Sequence, residues 1–229
     1  MHGADLTIED QQEIIRAANI AIMSNPTRSG FSLWLSPTSS EAVLTDLILS
    51  LSQRFSPSTV PFLPHATLFP DALIPSNLSL AEIIERTRQA VSRAQVKRVI
   101  CRFERLEAGQ SLYQCVYIKL RKTESEGLLP LHRALRLAFE ETTDPSGESY
   151  FPHVSLVYAE LPMEAKLDHI KGMEVRKECV HTENGMVQLA GCTEFEAGEI
   201  LVVRTVGKPD EWEVMARVDL GSSLEHHDL

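Results

Sequence analysis

The chain has 229 residues, with 22 Lys+Arg against 32 Asp+Glu for a formal net charge of −10, and 43% of its residues are hydrophobic. That is enough for one large domain or two small lobes around a real core. The acidic balance excludes a surface that coats duplex nucleic acid, because such affinity comes from Lys and Arg neutralising many phosphates. No apolar run approaches the ~20 residues that span a bilayer, and the N-terminal MHGADLTIEDQQE is acidic rather than basic then apolar. A membrane protein or a secreted precursor is therefore not expected, and the reading is cytoplasmic.

Along the chain, Ile8, Ile14, Ile15, Ala18 and Ile22 among acidic neighbours predict an amphipathic helix from Thr7 to about Ser24. Asn25-Pro26 and Ser29-Gly30 close it, so residues 1–29 read as an N-terminal helical extension. Phe31 to Ser36 predicts a strand ending at Pro37, and the Thr38 to Glu41 stretch offers caps for a helix to about Phe55. Pro61 to Phe69 is a second strand. Ser79 and Glu82 stand in capping-box register before a helix to about Ala94. Strands near 96–107 and 111–120 form a hairpin turning at 107–110, helped by Gly109. A helix over 127–141 and a loop over 142–147 follow, then a strand at 151–158 and a short helix at 163–171. Strands near 185–196, 199–206 and 211–219 close the chain as a meander.

No long linker divides this series, so residues 30–220 form one α+β unit of two lobes, with 221–229 as a tail whose His226 and His227 have no role. Cys101, Cys115, Cys179 and Cys192 lack zinc-site spacing and sit in apolar or strand-like text, which reads as buried free thiols. Cys101 and Cys115 could still meet across the hairpin. No metal or other cofactor is expected, and nothing suggests more than a monomer.

The informative feature is a repeat. Phe62-Leu-Pro-His65-Ala-Thr67-Leu-Phe69 and Tyr150-Phe-Pro-His153-Val-Ser155-Leu-Val157 share one pattern, 88 residues apart. Side chains alternate along a strand, so His65 with Thr67, and His153 with Ser155, each face one side together. Packing alone has no reason to demand Pro-His-aliphatic-hydroxyl-Leu twice. Two imidazoles in one cleft can divide general base and general acid work near neutral pH. Thr67 and Ser155 can hydrogen-bond non-bridging phosphoryl oxygens.

These paired motifs resemble the 2H phosphoesterase superfamily, and the chain is most similar to its fungal and plant cyclic nucleotide phosphodiesterase branch. The likeness runs from Phe31-Ser-Leu-Trp34-Leu through both motifs and Tyr158 to Glu211-Trp-Glu-Val-Met-Ala-Arg-Val-Asp219. The resemblance implies a bilobal fold with two antiparallel sheets facing across a central cleft. It implies hydrolysis, without metal, of ADP-ribose 1″,2″-cyclic phosphate from tRNA splicing and of nucleoside 2′,3′-cyclic phosphates to 2′-phosphates. It makes His65 and His153 catalytic, His153 as base and His65 as acid. Thr67, Ser155 and Tyr158 would contact the phosphate, and Trp34 borders the cleft, where it would stack on a base or serve the core. The substrate partner is then a small cyclic-phosphate nucleotide.

Two other readings compete: an RNA-end cyclic phosphodiesterase or 2′,5′ ligase-like enzyme, and a nucleotide-binding module without chemistry. The acidic balance argues against the first, and the presence of both histidines and both hydroxyls against the second. His132, His169 and His181 have no hydroxyl two residues on and read as surface or capping histidines. Among Lys97, Arg98, Arg102, Arg105, Arg121 and Lys122, one could steer an anion to the cleft.

Overall fold

A computed structural model describes residues 28–38, 40–55, 59–140, 149–182 and 185–221. The expected first helix, the 142–147 loop and nearly all of the tail lie outside these residues.

Ten strands and four α-helices are described: β1 (Phe31–Leu35), α1 (Glu41–Phe55), β2 (Ala66–Phe69), α2 (Leu80–Ala94), β3 (Val99–Ala108), β4 (Val116–Leu120), α3 (Leu128–Ala138), β5 (His153–Val157), α4 (Met163–Val175), β6 (Cys179–His181), β7 (Val187–Leu189), β8 (Glu194–Ala197), β9 (Glu199–Arg204) and β10 (Glu213–Asp219). Eight strands form one antiparallel sheet in the order β10-β9-β1-β2-β5-β4-β3-β8, while β6 and β7 pair separately. The order divides into two mirrored four-stranded halves. They join between β2 and β5 at a single register pair, Ala66 with Val154.

The sheet is curled, and connectivity shows why. Only Gly198 separates β8, at one edge, from β9, six strand steps away in the order. In a flat sheet those steps would span about 29 Å, far beyond the reach of one residue. Bending brings the ends together and turns the halves to face one another across a central cavity. Thr38 ties this closure by donating from its amide and its hydroxyl to the Glu196 carbonyl, at 2.8 and 2.9 Å.

Alternation along the central strands separates core from cavity. Leu33, Leu35, Ala66, Leu68, Val154 and Leu156 enter the main core. Ser32, Trp34, Thr67, His153 and Ser155 line the cavity from the other side. The helices cover the apolar face, with α1 against β5, α4 against β3, and α2 packed on α3. Helix α2 starts as its sequence dictates, since Ser79 and Glu82 form a reciprocal capping box.

Several boundaries differ from expectation. The second strand begins at Ala66 rather than Pro61, because Pro61 and Pro64 lack the N–H a ladder needs. The hairpin connection runs over 109–115 with a 3₁₀ turn at Leu112–Gln114. Gly109 is required there, since an added Cβ would lie 2.2 Å from the Gln114 carbonyl oxygen. The stretch 185–196 splits into β7 and β8. Ala190 and Gly191 both adopt positive φ, 48° and 86°, and reverse the chain between Leu189 and Cys192. Strand β6 was not anticipated. The last strands are not a meander, because β8 pairs with β3 in the opposite half from β9 and β10. All four cysteines are free thiols, three of them buried, and Cys101 lies at the far end of the hairpin from Cys115.

Candidate active site

Both motif histidines are held the same way, and the intervening proline explains it. Proline biases the residue before it, Leu63 in one motif and Phe151 in the other, away from helical backbone, and each ring folds back on the carbonyl two residues earlier. His65 Nδ1 lies 2.6 Å from the Leu63 oxygen and His153 Nδ1 lies 2.9 Å from the Phe151 oxygen. A carbonyl only accepts, so each Nδ1–H donates. The neutral ring then carries its lone pair on Nε2, the atom available for proton transfer. Both histidines line one cavity of about 660 Å³, together with Thr67, Ser155, Tyr158 and Trp34. The curled sheet thus brings together all six residues singled out from sequence.

Their surroundings differ. His65 is buried at 4% exposure and stacks on the Trp34 indole, with ring centroids 3.6 Å apart and planes 6° from parallel. Burial pushes its pKa down to about 4, an effect the Leu63 hydrogen bond opposes and the neighbouring His153 reinforces. His153 is only partly buried and meets Tyr117 edge-on at 5.4 Å. Desolvation lowers its pKa as well, against the opposing Phe151 hydrogen bond. Ser155 donates to the Tyr113 carbonyl at 2.6 Å, so its hydroxyl must rotate before it can donate to a phosphoryl oxygen. Burial raises the Tyr158 hydroxyl far above the ordinary tyrosine range, keeping it a neutral donor beside Ser155. Phe62 backs the Tyr158 ring at 3.7 Å.

Trp34 has one face against His65 and an edge toward Trp212 at 5.6 Å. It is therefore a wall that supports the imidazole. Trp212 and Tyr113 also line the cavity, 5.7 Å apart, and sequence reasoning gave neither a role. Trp212 is one of two tryptophans in the chain, a signal that was readable.

Two histidines need correction. His132 is not a surface group: it is 2% exposed, lines the cavity and stacks on Tyr150 at 3.8 Å. Its Nδ1 donates to the Leu68 carbonyl at 3.0 Å. His169 is half-buried against Phe55 at 3.7 Å, whereas His181 is exposed beside Glu174, as expected. The cations weighed from sequence lie elsewhere as well. Arg102 pairs with Glu126 and Glu194, Arg105 with Glu107, and Arg98 with Glu196. The arginines in the cavity lining are Arg28 and Arg136. Among the described residues, no group of three or more His, Cys, Asp or Glu is placed to hold a metal ion, and no helix is long and apolar enough to cross a membrane.

Comparison with known proteins shows the family. Residues 29–220 match the family model described as "Cyclic phosphodiesterase-like protein". A curated Phaeosphaeria nodorum protein named 2′,3′-cyclic-nucleotide 3′-phosphodiesterase is 30% identical over 203 residues, covering 83% of this chain and 99% of that protein. Among solved structures, TT0787 of Thermus thermophilus aligns with a TM-score of 0.50 at 16% identity, over 84% of this chain and 98% of its own. LigT of E. coli, solved with 3′-AMP, aligns with a TM-score of 0.47 at 12% identity, over 86% of this chain and 100% of its own. The family match spans both histidine motifs and every cavity element except Arg28. The chain belongs to the cyclic phosphodiesterase-like family of the 2H phosphoesterase superfamily and is a cyclic phosphodiesterase.

Proposed function

We propose that this enzyme hydrolyses nucleoside 2′,3′-cyclic phosphates to nucleoside 2′-phosphates without a metal ion, and acts in the same way on ADP-ribose 1″,2″-cyclic phosphate, a by-product of tRNA splicing. The observation that carries the reading is the matched pair of imidazoles, each with Nδ1 fixed by a backbone carbonyl, lining one cavity. The curated fungal relative, named for cleaving the 3′ bond, supports the direction of ring opening.

In this mechanism His153 Nε2 takes a proton from water as the water oxygen bonds to phosphorus. The bond from phosphorus to the 3′ oxygen breaks, and His65 Nε2 gives that oxygen a proton, leaving the phosphate on the 2′ oxygen. Thr67, Ser155 and Tyr158 donate to the non-bridging oxygens, where charge builds in the transition state. The acid role demands a proton on a ring whose pKa burial lowers to about 4. An anionic phosphate beside Nε2 favours that proton, and so does the indole face stacked on the ring. Substrate binding therefore takes up a proton at His65.

The test is product analysis with three substrates in excess chelator: adenosine 2′,3′-cyclic phosphate, ADP-ribose 1″,2″-cyclic phosphate and an oligonucleotide ending in a 2′,3′-cyclic phosphate. The proposal expects the 2′-phosphate from the first, turnover of the second, and the oligonucleotide as the poorest substrate. A 3′-phosphate product, or preference for the oligonucleotide, would overturn it.

A further inference from the structure

We propose that Tyr117, anchored by Glu107, is a positioning residue for His153, the wall that aims the base of the reaction as Trp34 is the wall behind His65. The inference rests on the functional reading above, in which His153 activates water.

The register of the sheet supplies the first argument. Strands β1 and β4 flank the two motif strands, β2 and β5, in the mirrored order. Across β1 and β2, Trp34 stands opposite Thr67; across β4 and β5, Tyr117 stands opposite Ser155. Opposed residues share a sheet face, so each half sets one aromatic side chain beside its own hydroxyl and imidazole. The register also shifts at the same place in both halves, between Leu33 and Trp34 and between Val116 and Tyr117. Such irregularities re-aim a side chain beside a site.

The two histidines depend on their walls differently. His65 is fixed by burial, with Trp34 flat against it. His153 is only partly buried, and the hydrogen bond at Nδ1 restrains one end of its ring. Tyr117 and Phe151 close around it, with ring centroids 5.4 and 5.3 Å from His153 and 5.5 Å from each other. Phe151 is 38% exposed and Tyr117 only 7%, so Tyr117 is the fixed member of the pair.

Glu107 completes the anchor. It stands opposite Tyr117 across β3 and β4, and the phenol donates to Glu107 Oε2 at 2.6 Å. A carboxylate acceptor makes that bond strong, and the other carboxylate oxygen pairs with Arg105. Burial, aided by the Glu107 hydrogen bond, pushes the Tyr117 hydroxyl up to about 12, so it remains a donor at neutral pH. Neither Tyr117 nor Glu107 is among the described residues lining the cavity, so both act through His153 and not on the substrate. Aim matters because the base must hold Nε2 within hydrogen-bond reach of the water, and a displacement of about 1 Å costs on the order of 10²-fold.

The experiment measures kcat and KM for adenosine 2′,3′-cyclic phosphate in the wild type, Tyr117→Leu, Tyr117→Phe, Glu107→Ala and Glu107→Gln, each alone and combined with His153→Ala, with folding checked by circular dichroism. Tyr117→Leu should lower kcat about tenfold or more while KM stays within about twofold. Tyr117→Phe keeps the ring and loses its anchor, and should lower kcat about threefold, as should Glu107→Ala. Glu107→Gln, whose amide oxygen still accepts from the phenol, should lose less. In the His153→Ala background these substitutions should change the residual kcat by less than about twofold, since no ring remains to be held. An unchanged kcat in Tyr117→Leu, or a loss of the same size with and without His153, overturns the inference. Should Tyr117→Leu not fold, Tyr117→Phe and Glu107→Ala decide by the same comparison. If the wild type is inactive, or His153→Ala is as active as the wild type, the functional reading fails, and positioning is read instead from nitrogen NMR of the resting protein. A single Nδ1–H tautomer of His153 that becomes mixed in the folded Tyr117 variants supports the inference; the same tautomer throughout overturns it.

Discussion

The burial of His65 makes a quantitative claim about stability against pH. With a folded pKa of about 4 and an unfolded value of 6.5, His65 binds its proton more readily in the unfolded chain. Above pH 6.5 the ring is neutral in both states and the difference contributes nothing adverse. As the pH falls below 6.5, protonation of the unfolded state draws the equilibrium toward unfolding, and the loss is complete once the folded ring also titrates. Linkage gives a loss of about 2 kcal/mol between pH 8 and pH 5 from this residue, and about 3 kcal/mol in full below pH 4. The assay is urea unfolding of the wild type and His65→Gln at pH 8 and pH 5, in buffers free of phosphate and sulfate so that no anion occupies the cavity. Carboxylates and the other histidines titrate in both proteins, so the difference in their pH dependence isolates His65. The wild type should lose about 2 kcal/mol more than the variant. Equal losses would refute a neutral, desolvated His65.

Substrate should oppose that burial, so pH profiles of wild-type turnover should place the pKa of the catalytic acid higher in kcat, which reports the bound state, than in kcat/KM. Trp34→Ala removes the surface on which His65 rests and should lower kcat, whereas Trp34→Phe restores part of it; steady-state kinetics of the pair checks this. Ser79→Ala dismantles the capping box of α2 and should cost about 1 kcal/mol, read as a fall of about 2 to 4 °C in Tm. With a thiol reagent at pH 8, Cys192 should label first. Cys101, Cys115 and Cys179 are buried, and desolvation pushes the Cys179 thiol up to about 11, so mass spectrometry should find these three modified only on unfolding.

What could be read from sequence was whatever repeats or alternates. The two motif strands, the alternation that places imidazole and hydroxyl together, and the Ser79 capping box all depend on neighbours in the chain. The curl of the sheet depends instead on which strands pair, and no local pattern states that β8 and β9 lie in opposite halves with only Gly198 between them. The break at Ala190-Gly191 was missed because the reversal carries Ala where Asn or Asp is the usual signal. His132 and Arg136 were legible in principle. They share the buried face of α3 with Leu128, Leu131 and Leu135, and polar residues inside an apolar helical stripe mark a built contact. A hydroxyl two residues on is a strand signature, and in α3 the residues at that spacing are Ala134 and Ala138. Tyr113 lies just inside a 3₁₀ turn of the β3–β4 connection, where sequence gave no periodicity to follow.

The central claim is that two imidazoles, rather than either alone, perform the chemistry. Its most direct test is turnover of adenosine 2′,3′-cyclic phosphate in excess chelator by the wild type, His65→Ala and His153→Ala, each checked for folding by circular dichroism. The account predicts undiminished wild-type turnover and a loss of about 10²- to 10⁴-fold in each variant. Wild-type-like rates in either folded variant, or a wild-type activity that chelator removes and added metal restores, would contradict it.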